Sequence, residues 1–310
     1  MKKLILLLIL NFSIFASMLE KFADAEPGCY SVFESQKTYT LLHLHSKSDS
    51  TVILEEISAP THAVSKGWDW KSWISKNAPG HTAWTQYEFD LKSGQLLECY
   101  SFTRESWLQN NDGLLGVLIN LGFKPIAETK RKRIGATPPH HAIDIRPIWN
   151  PPKFVHGSQV KYAKFNAVKT RWPKDESEMA DKKIILYFDQ TGFPFPYWID
   201  ITATIDTHIH AIDSGNEMQS PRSHLPRRYP QIIGSYQQQG SLLRLQIKTP
   251  LYYKNFNLYN GSKPTACSIT EQGDTLYLDI DPGSINPKEP LMLTPDSHPH
   301  IFVDLPPLPK

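Results

Sequence analysis

The stretch TAWTQYEFDLKSGQLLECYSFT, residues 82–103, decides the fold class. Thr82 to Asp90 and Gln95 to Thr103 are two strand-like runs joined by Leu91-Lys92-Ser93-Gly94. Gly94 stands where a short hairpin loop needs a positive φ, so the stretch reads as a β-hairpin.

Working outward, the same signal recurs on both sides. Thr38 to His45 alternates, with Tyr39, Leu41, His43 and His45 on one face and Leu42 and Leu44 on the other. Thr51 to Ile57 is a further strand-like run. Between these and the hairpin, Gly67 to Lys76 carries Trp70, Trp73 and Ile74 at helical spacing, which predicts a short amphipathic helix. Gly113 to Gly122 is apolar all round, and its period does not separate buried helix from buried strand. Farther on, Gln159 to Val168 alternates weakly, Lys183 to Asp189 is continuously apolar, and Tyr197 to Ile212 is the longest β signal. Leu242 to Ile247 and Thr275 to Ile280 alternate cleanly, the second after a Gly273-Asp274 turn. The expected class is mainly β, as sandwich or barrel-like antiparallel sheets with one or two short helices.

Two segments suggest the domain plan. Ala136 to Lys153 holds Pro138, Pro139, Pro147, Pro151 and Pro152. Proline removes ladder donors, so 136–153 reads as a linker or surface strap between β-rich domains at 26–135 and 154–310. At the N-terminus, Met1-Lys2-Lys3 precedes the aliphatic run Leu4 to Leu10. A basic start before an apolar run of about 7–15 residues is the mark of a secretory signal peptide. Ala23-Asp24-Ala25 fits the small-x-small cleavage rule and gives a signal of residues 1–25; a cut after Ala16 is the alternative, with the large Ile14 three residues back. The run is shorter than the ~20 residues of a membrane span, so no span is expected after cleavage. The chain is therefore expected to be exported, periplasmic or secreted.

Composition bounds the partners. Lys plus Arg is 33 against 31 Asp plus Glu, a net of +2. Removal of Lys2, Lys3 and Lys21 with Glu20 and Asp24 would leave a net of +1. A general nucleic-acid binder would show a basic surplus, so nucleic acid is not an expected partner. The one local basic run, Lys130 to Arg133, reads as a solvated loop, with anionic lipid or glycan phosphate as the sharper alternative. Cys29, Cys99 and Cys267 allow one disulfide in an oxidising compartment, with Cys29–Cys99 the preferred pair because both flank the N-terminal sheet.

Six of the twelve histidines fall in His-x-His pairs: His43/His45, His208/His210 and His298/His300. On a strand, residues i and i+2 share a face, so two imidazoles can reach one metal ion. The strongest case is Asp206, His208 and His210, which share one face while Ile205, Thr207, Ile209 and Ala211 share the other. Zinc or another transition metal would need a further ligand there; an ordinary solvated strand face shows the same alternation. His140-His141 with Asp144 forms another cluster, although adjacent residues on an extended chain point apart.

Ile205-Asp206-Thr207-His208-Ile209-His210 resembles the first-strand metal motif of the amidohydrolase superfamily, which would make His208 and His210 metal ligands. That family uses a (β/α)₈ barrel of about 250 residues. Only 100 residues follow His210, without alternating helices, so the resemblance stays local to six residues.

No nucleophile elbow, P-loop or dinucleotide fingerprint occurs, and no catalytic residue is assigned. The aromatic residues Trp68, Trp70, Trp73, Trp84, Tyr87, Tyr100, Phe102 and Trp107 read as core, although exposed rings would stack on sugars or grip an apolar ligand. The expected function is an exported β-rich module that binds a ligand or an envelope component, with no cofactor. A metal-dependent hydrolase built on the His-x-His site is the alternative.

Overall fold

The hairpin forms as Ala83–Asp90 paired with Leu96–Ser101 in a computed structural model that describes residues 17–64, 69–108, 114–174, 179–202, 207–299 and 301–309. Gly94 has φ +70°, and Asp90 Oδ1 accepts from the amides of Lys92 and Ser93, which tightens the loop. In chain order the strands are β1 (Tyr30–Ser35), β2 (Thr38–Lys47), β3 (Thr51–Pro60), β4 (Ala83–Asp90), β5 (Leu96–Ser101), β6 (Ser106–Trp107), β7 (Lys124–Pro125), β8 (Phe154–Val155), β9 (Ser158–Gln159), β10 (Phe165–Arg171), β11 (Lys183–Asp189), β12 (Trp198–Thr202) and β13 (Thr207–Gly215). Ten of them and β7 make one antiparallel sheet in the order β6-β5-β4-β3-β2-β1-β13-β12-β11-β10-β7, and β8 and β9 form a separate short hairpin. The protein is mainly β, as its alternation dictates.

Among the described residues three α-helices cover parts of this sheet: α1 (Met18–Asp24), α2 (Trp70–Ser75) and α3 (Leu114–Ile119). Asp69 caps α2 by accepting from the Lys71 amide, and Trp70, Trp73 and Ile74 face the core as their spacing requires. The apolar segment near 114 resolves as helix, with Leu115, Leu118 and Ile119 buried at i, i+3 and i+4. On one sheet face Leu42, Leu44, Val52, Leu54 and Phe89 join residues of α1 and α3 in the main core. On the opposite face Tyr39, Leu41, Ile57 and Trp84 pack with α2 in a second core.

The fold bears on two expectations about the N-terminal region. Residues 1–16 lie outside the described residues, but Met18, Phe22 and Ala25 are buried in the main core. A signal ending at Ala25 would therefore include a helix that the fold uses. Cys29 and Cys99 do not pair: none of the three cysteines is in a disulfide. Cys29 lies beside Leu44, Leu44 opposes Leu54, Leu54 opposes Tyr87, and Tyr87 opposes Cys99. Four strand spacings, about 19 Å, thus separate two residues that a disulfide needs within about 7 Å.

The proline-rich stretch 136–153 is not the boundary between compact units. Strands before and after it enter the same sheet, and the chain divides between Ser223 and His224. Within the stretch, Arg133 bridges Ile148 and the Ile134 amide donates to the Pro147 carbonyl, so the chain doubles back on itself. The long β signal at 197–212 is likewise two strands, β12 and β13, with 203–206 outside the described residues.

The C-terminal unit, from His224, carries β14 (Gln231–Gln239), β15 (Leu242–Lys248), β16 (Phe256–Asn260), β17 (Lys263–Thr265), β18 (Ser268–Gln272), β19 (Thr275–Ile280), β20 (Leu291–Pro295) and β21 (Val303–Asp304). They form two four-stranded sheets, β14-β15-β19-β18 and β17-β16-β20-β21. Each sheet buries alternate residues: Leu243, Leu245 and Ile247 with Leu276, Leu278 and Ile280 in the first, Leu258 with Leu291 and Leu293 in the second. Among the described residues no helix is long and apolar enough to cross a membrane.

Candidate binding surface

Strand β13 separates its residues by parity. Ile209 and Ala211 turn toward the main core, and His208 and His210 turn away from it. The register then supplies their neighbours: Trp198 of β12 opposes His210, and Asp200 opposes His208. The Trp198 and His208 rings lie parallel, 7° apart in plane with centroids 4.8 Å apart. His210 tilts against the same indole at 5.7 Å. Trp149, at the foot of the proline-rich strap, meets the indole edge-on at 5.3 Å, and the exposed Lys132 sits over Trp149 at 4.9 Å. The Trp198 indole N–H donates to Asp200 Oδ1.

The result is a contiguous row of four rings, Trp149, Trp198, His208 and His210. Of these His208 is exposed and the others are half-buried. Stacked and edge-on pairs of this kind contribute about 0.5–1.5 kcal/mol each beyond area burial. His210 Nε2 lies 4.0 Å from Glu34 Oε2 at the rim. Burial lowers the His210 pKa; Glu34 opposes that shift and His208 adds to it. The row is thus apolar on its ring faces and polar at its edges.

Of the expected metal set, Asp206 lies outside the described residues. His208 and His210 come together, with ring centroids 6.1 Å apart, but around the Trp198 indole. Among the described residues no group of three or more His, Cys, Asp and Glu side chains could hold a metal ion.

The other histidine pairs have different surroundings. His298 packs on Tyr252 and Tyr253, and His300 lies outside the described residues. His140 and His141 touch at 5.2 Å because the chain turns at Pro139–Ala142 rather than running extended. His45 Nε2 donates to the Arg222 carbonyl at 2.7 Å. His43 belongs to a buried polar row that sequence reading missed.

That row follows from register. His43 on β2, Glu55 on β3 and Gln86 on β4 are direct cross-strand partners. Glu55 Oε1 accepts from the Trp84 indole at 2.7 Å, the Gln86 amide at 3.0 Å and the Ser220 hydroxyl at 2.9 Å. Its Oε2 meets His43 Nδ1, while His43 Nε2 faces the Met218 carbonyl at 3.2 Å. Burial pushes the Glu55 carboxyl up, but the hydrogen bond and charge of His43, then the Trp84 bond, outweigh it and hold it below its ordinary range. Arg222 stacks over Trp84 and Phe102. The cluster fastens Met218–Arg222 to the sheet and has no exposed reactive atom among His43 and Glu55.

The aromatic residues near the hairpin are mostly core: Trp70, Trp73, Trp84 and Tyr87 are buried, Trp107 is exposed, and Trp68 lies outside the described residues.

A family described as "CT021 protein" matches residues 40–161. A solved structure of the hypothetical protein CT021 from Chlamydia trachomatis is similar over 69% of this chain and 98% of that chain, at 16% identity and a TM-score of 0.47. No curated protein matches the chain.

Proposed function

We propose that the protein is an exported β-rich binding module whose ligand is a glycan of the cell envelope, held on the Trp149–Trp198–His208–His210 row. The observation that carries this reading is the exposed imidazole of His208 lying flat on Trp198. A pyranose has an apolar C–H face and hydroxyl edges. The row offers ring faces for the first, and imidazole nitrogens, Glu34 and Lys132 for the second. His210, with its pKa lowered by burial, serves as a neutral donor and acceptor near neutral pH.

Export rests on Met1-Lys2-Lys3 and Leu4 to Leu10. Of the two candidate cuts, we favour the one after Ala16, because it keeps α1 in the chain. Ser17 then begins the chain and caps α1 by accepting from the Glu20 amide, and Met18 and Phe22 stay in the core.

The test is a tryptophan-fluorescence titration of the full mature chain with oligomers of N-acetylglucosamine. Saturable binding that weakens about fivefold in His208→Ala is expected, the loss of one ring contact of about 1 kcal/mol. Absence of binding to these and to other envelope polysaccharides would remove the glycan reading.

A further inference from the structure

The most exposed aliphatic side chains of the described residues are not scattered. Ile143 is 87% exposed, Ile145 is 89% exposed and Ile134 is 54% exposed, and all three belong to the doubled-back arm Arg133–Ile148. Leaving large aliphatic side chains in water forgoes about 1.5–3 kcal/mol apiece, so a group of three on one projection calls for an apolar environment.

The arm is held in shape. The Ile134 amide donates to Pro147, the Trp149 amide donates to Lys132, and Arg146 donates to the Gly135 carbonyl across the arm. Asp144, between the two exposed isoleucines, is the only carboxylate from 129 to 150, and it is paired with both Arg146 and Arg133. The tip therefore offers no unpaired negative charge. At its base stand Lys130 and Lys132, both exposed, with Arg131 between them and Arg133 opening the arm.

Apolar side chains projecting beyond a cationic collar are the composition of an interfacial membrane contact. The prolines argue against the main competing occupant. Pro138, Pro139 and Pro147 lack amide donors, so the arm is a poor template for strand addition by another chain.

We infer that the arm Arg133–Ile148 docks the protein on an anionic lipid bilayer, with Ile143 and Ile145 entering the headgroup boundary and Lys130 and Lys132 meeting lipid phosphates. The inference deepens the envelope-binding reading by naming a second contact, and it is read out separately from glycan binding. Docking by the arm leaves the ring row, which begins at Trp149 at the arm's foot, beside the membrane surface.

The experiment is cosedimentation of the full mature chain with vesicles of phosphatidylglycerol and phosphatidylcholine, against phosphatidylcholine alone. Binding to the anionic vesicles is expected, weakened by added salt and reduced at least about tenfold in Ile143→Asp/Ile145→Asp, the loss of one aliphatic anchor being sufficient for that factor. Lys130→Glu/Lys132→Glu should weaken it as well, through charge alone. His208→Ala should leave vesicle binding unchanged, which separates this contact from the glycan row. No sedimentation with anionic vesicles, equal binding to both vesicle types, or binding insensitive to both double variants would overturn the inference. Capture of a protein by the isoleucine tip without lipid binding would overturn it in favour of a protein partner.

Discussion

Oε2 of Glu55 lies 2.9 Å from Nδ1 of His43, its direct cross-strand partner, with both side chains almost wholly shielded from water. Both nitrogens of the imidazole face oxygen atoms, those of the Glu55 carboxylate and the Met218 carbonyl. Removing the Glu55 carboxylate from this buried cluster leaves the Trp84 indole, the Gln86 amide and the Ser220 hydroxyl without their acceptor. Glu55→Ala should therefore lower the unfolding free energy by about 3–5 kcal/mol in urea titrations. A loss below about 1 kcal/mol would show that the row carries little of the stability.

The same carboxyl sets a direction with pH. Its pKa in the folded state lies below the ordinary value of 4.5, so its contribution is present above that value and is lost as pH falls through the folded pKa. Thermal melts from pH 7 down to pH 3 should show the wild type losing more stability than Glu55→Gln. Parallel curves for the two proteins would contradict this.

Helix α1 makes the N-terminus testable. Met18 and Phe22 are fully buried, and Lys47 Nζ donates to the Ala23 and Ala25 carbonyls at 2.8 and 2.7 Å. A chain starting at Ser17 should fold, whereas one starting at Glu26 should be less stable by about 3–6 kcal/mol, the burial of two large side chains. N-terminal sequencing of protein recovered from the export compartment should accordingly read Ser17; a start at Glu26 would contradict the assignment.

The β1–β2 connection offers a stabilising change. Gln36 and Lys37 are joined directly between paired Ser35 and Thr38, with φ of +47° and +65°. Both lie in the left-handed region, where asparagine and glycine are at ease. Gln36→Asn/Lys37→Gly should raise the unfolding free energy by about 0.5–1 kcal/mol; an unchanged or lowered midpoint would contradict it.

Local patterns were legible from the residues alone. The 82–103 hairpin, the short helix with Trp70, Trp73 and Ile74, and the run Lys183–Asp189 all follow from spacing and turn chemistry. The parity of His208 and His210 on β13 was legible too. Their neighbour was not: Trp198 reaches His208 through pairing of β12 with β13, and Trp149 arrives from a strap about fifty residues earlier. Glu55 was passed over for the same reason, since register alone brings it against His43. Helix α1 was not legible as a core element, because a signal's apolar run and a buried helix share one composition.

The most direct test of the binding row is residue-resolved. Histidine and tryptophan side-chain NMR signals would be followed as the mature protein is titrated with an N-acetylglucosamine tetramer. Saturable shifts at the His208 and His210 rings and the Trp198 indole are expected, with the buried Trp73 and Trp84 indoles unmoved. Binding that shifts other residues and leaves His208 and Trp198 in place, or no shift at any concentration, would contradict the proposal.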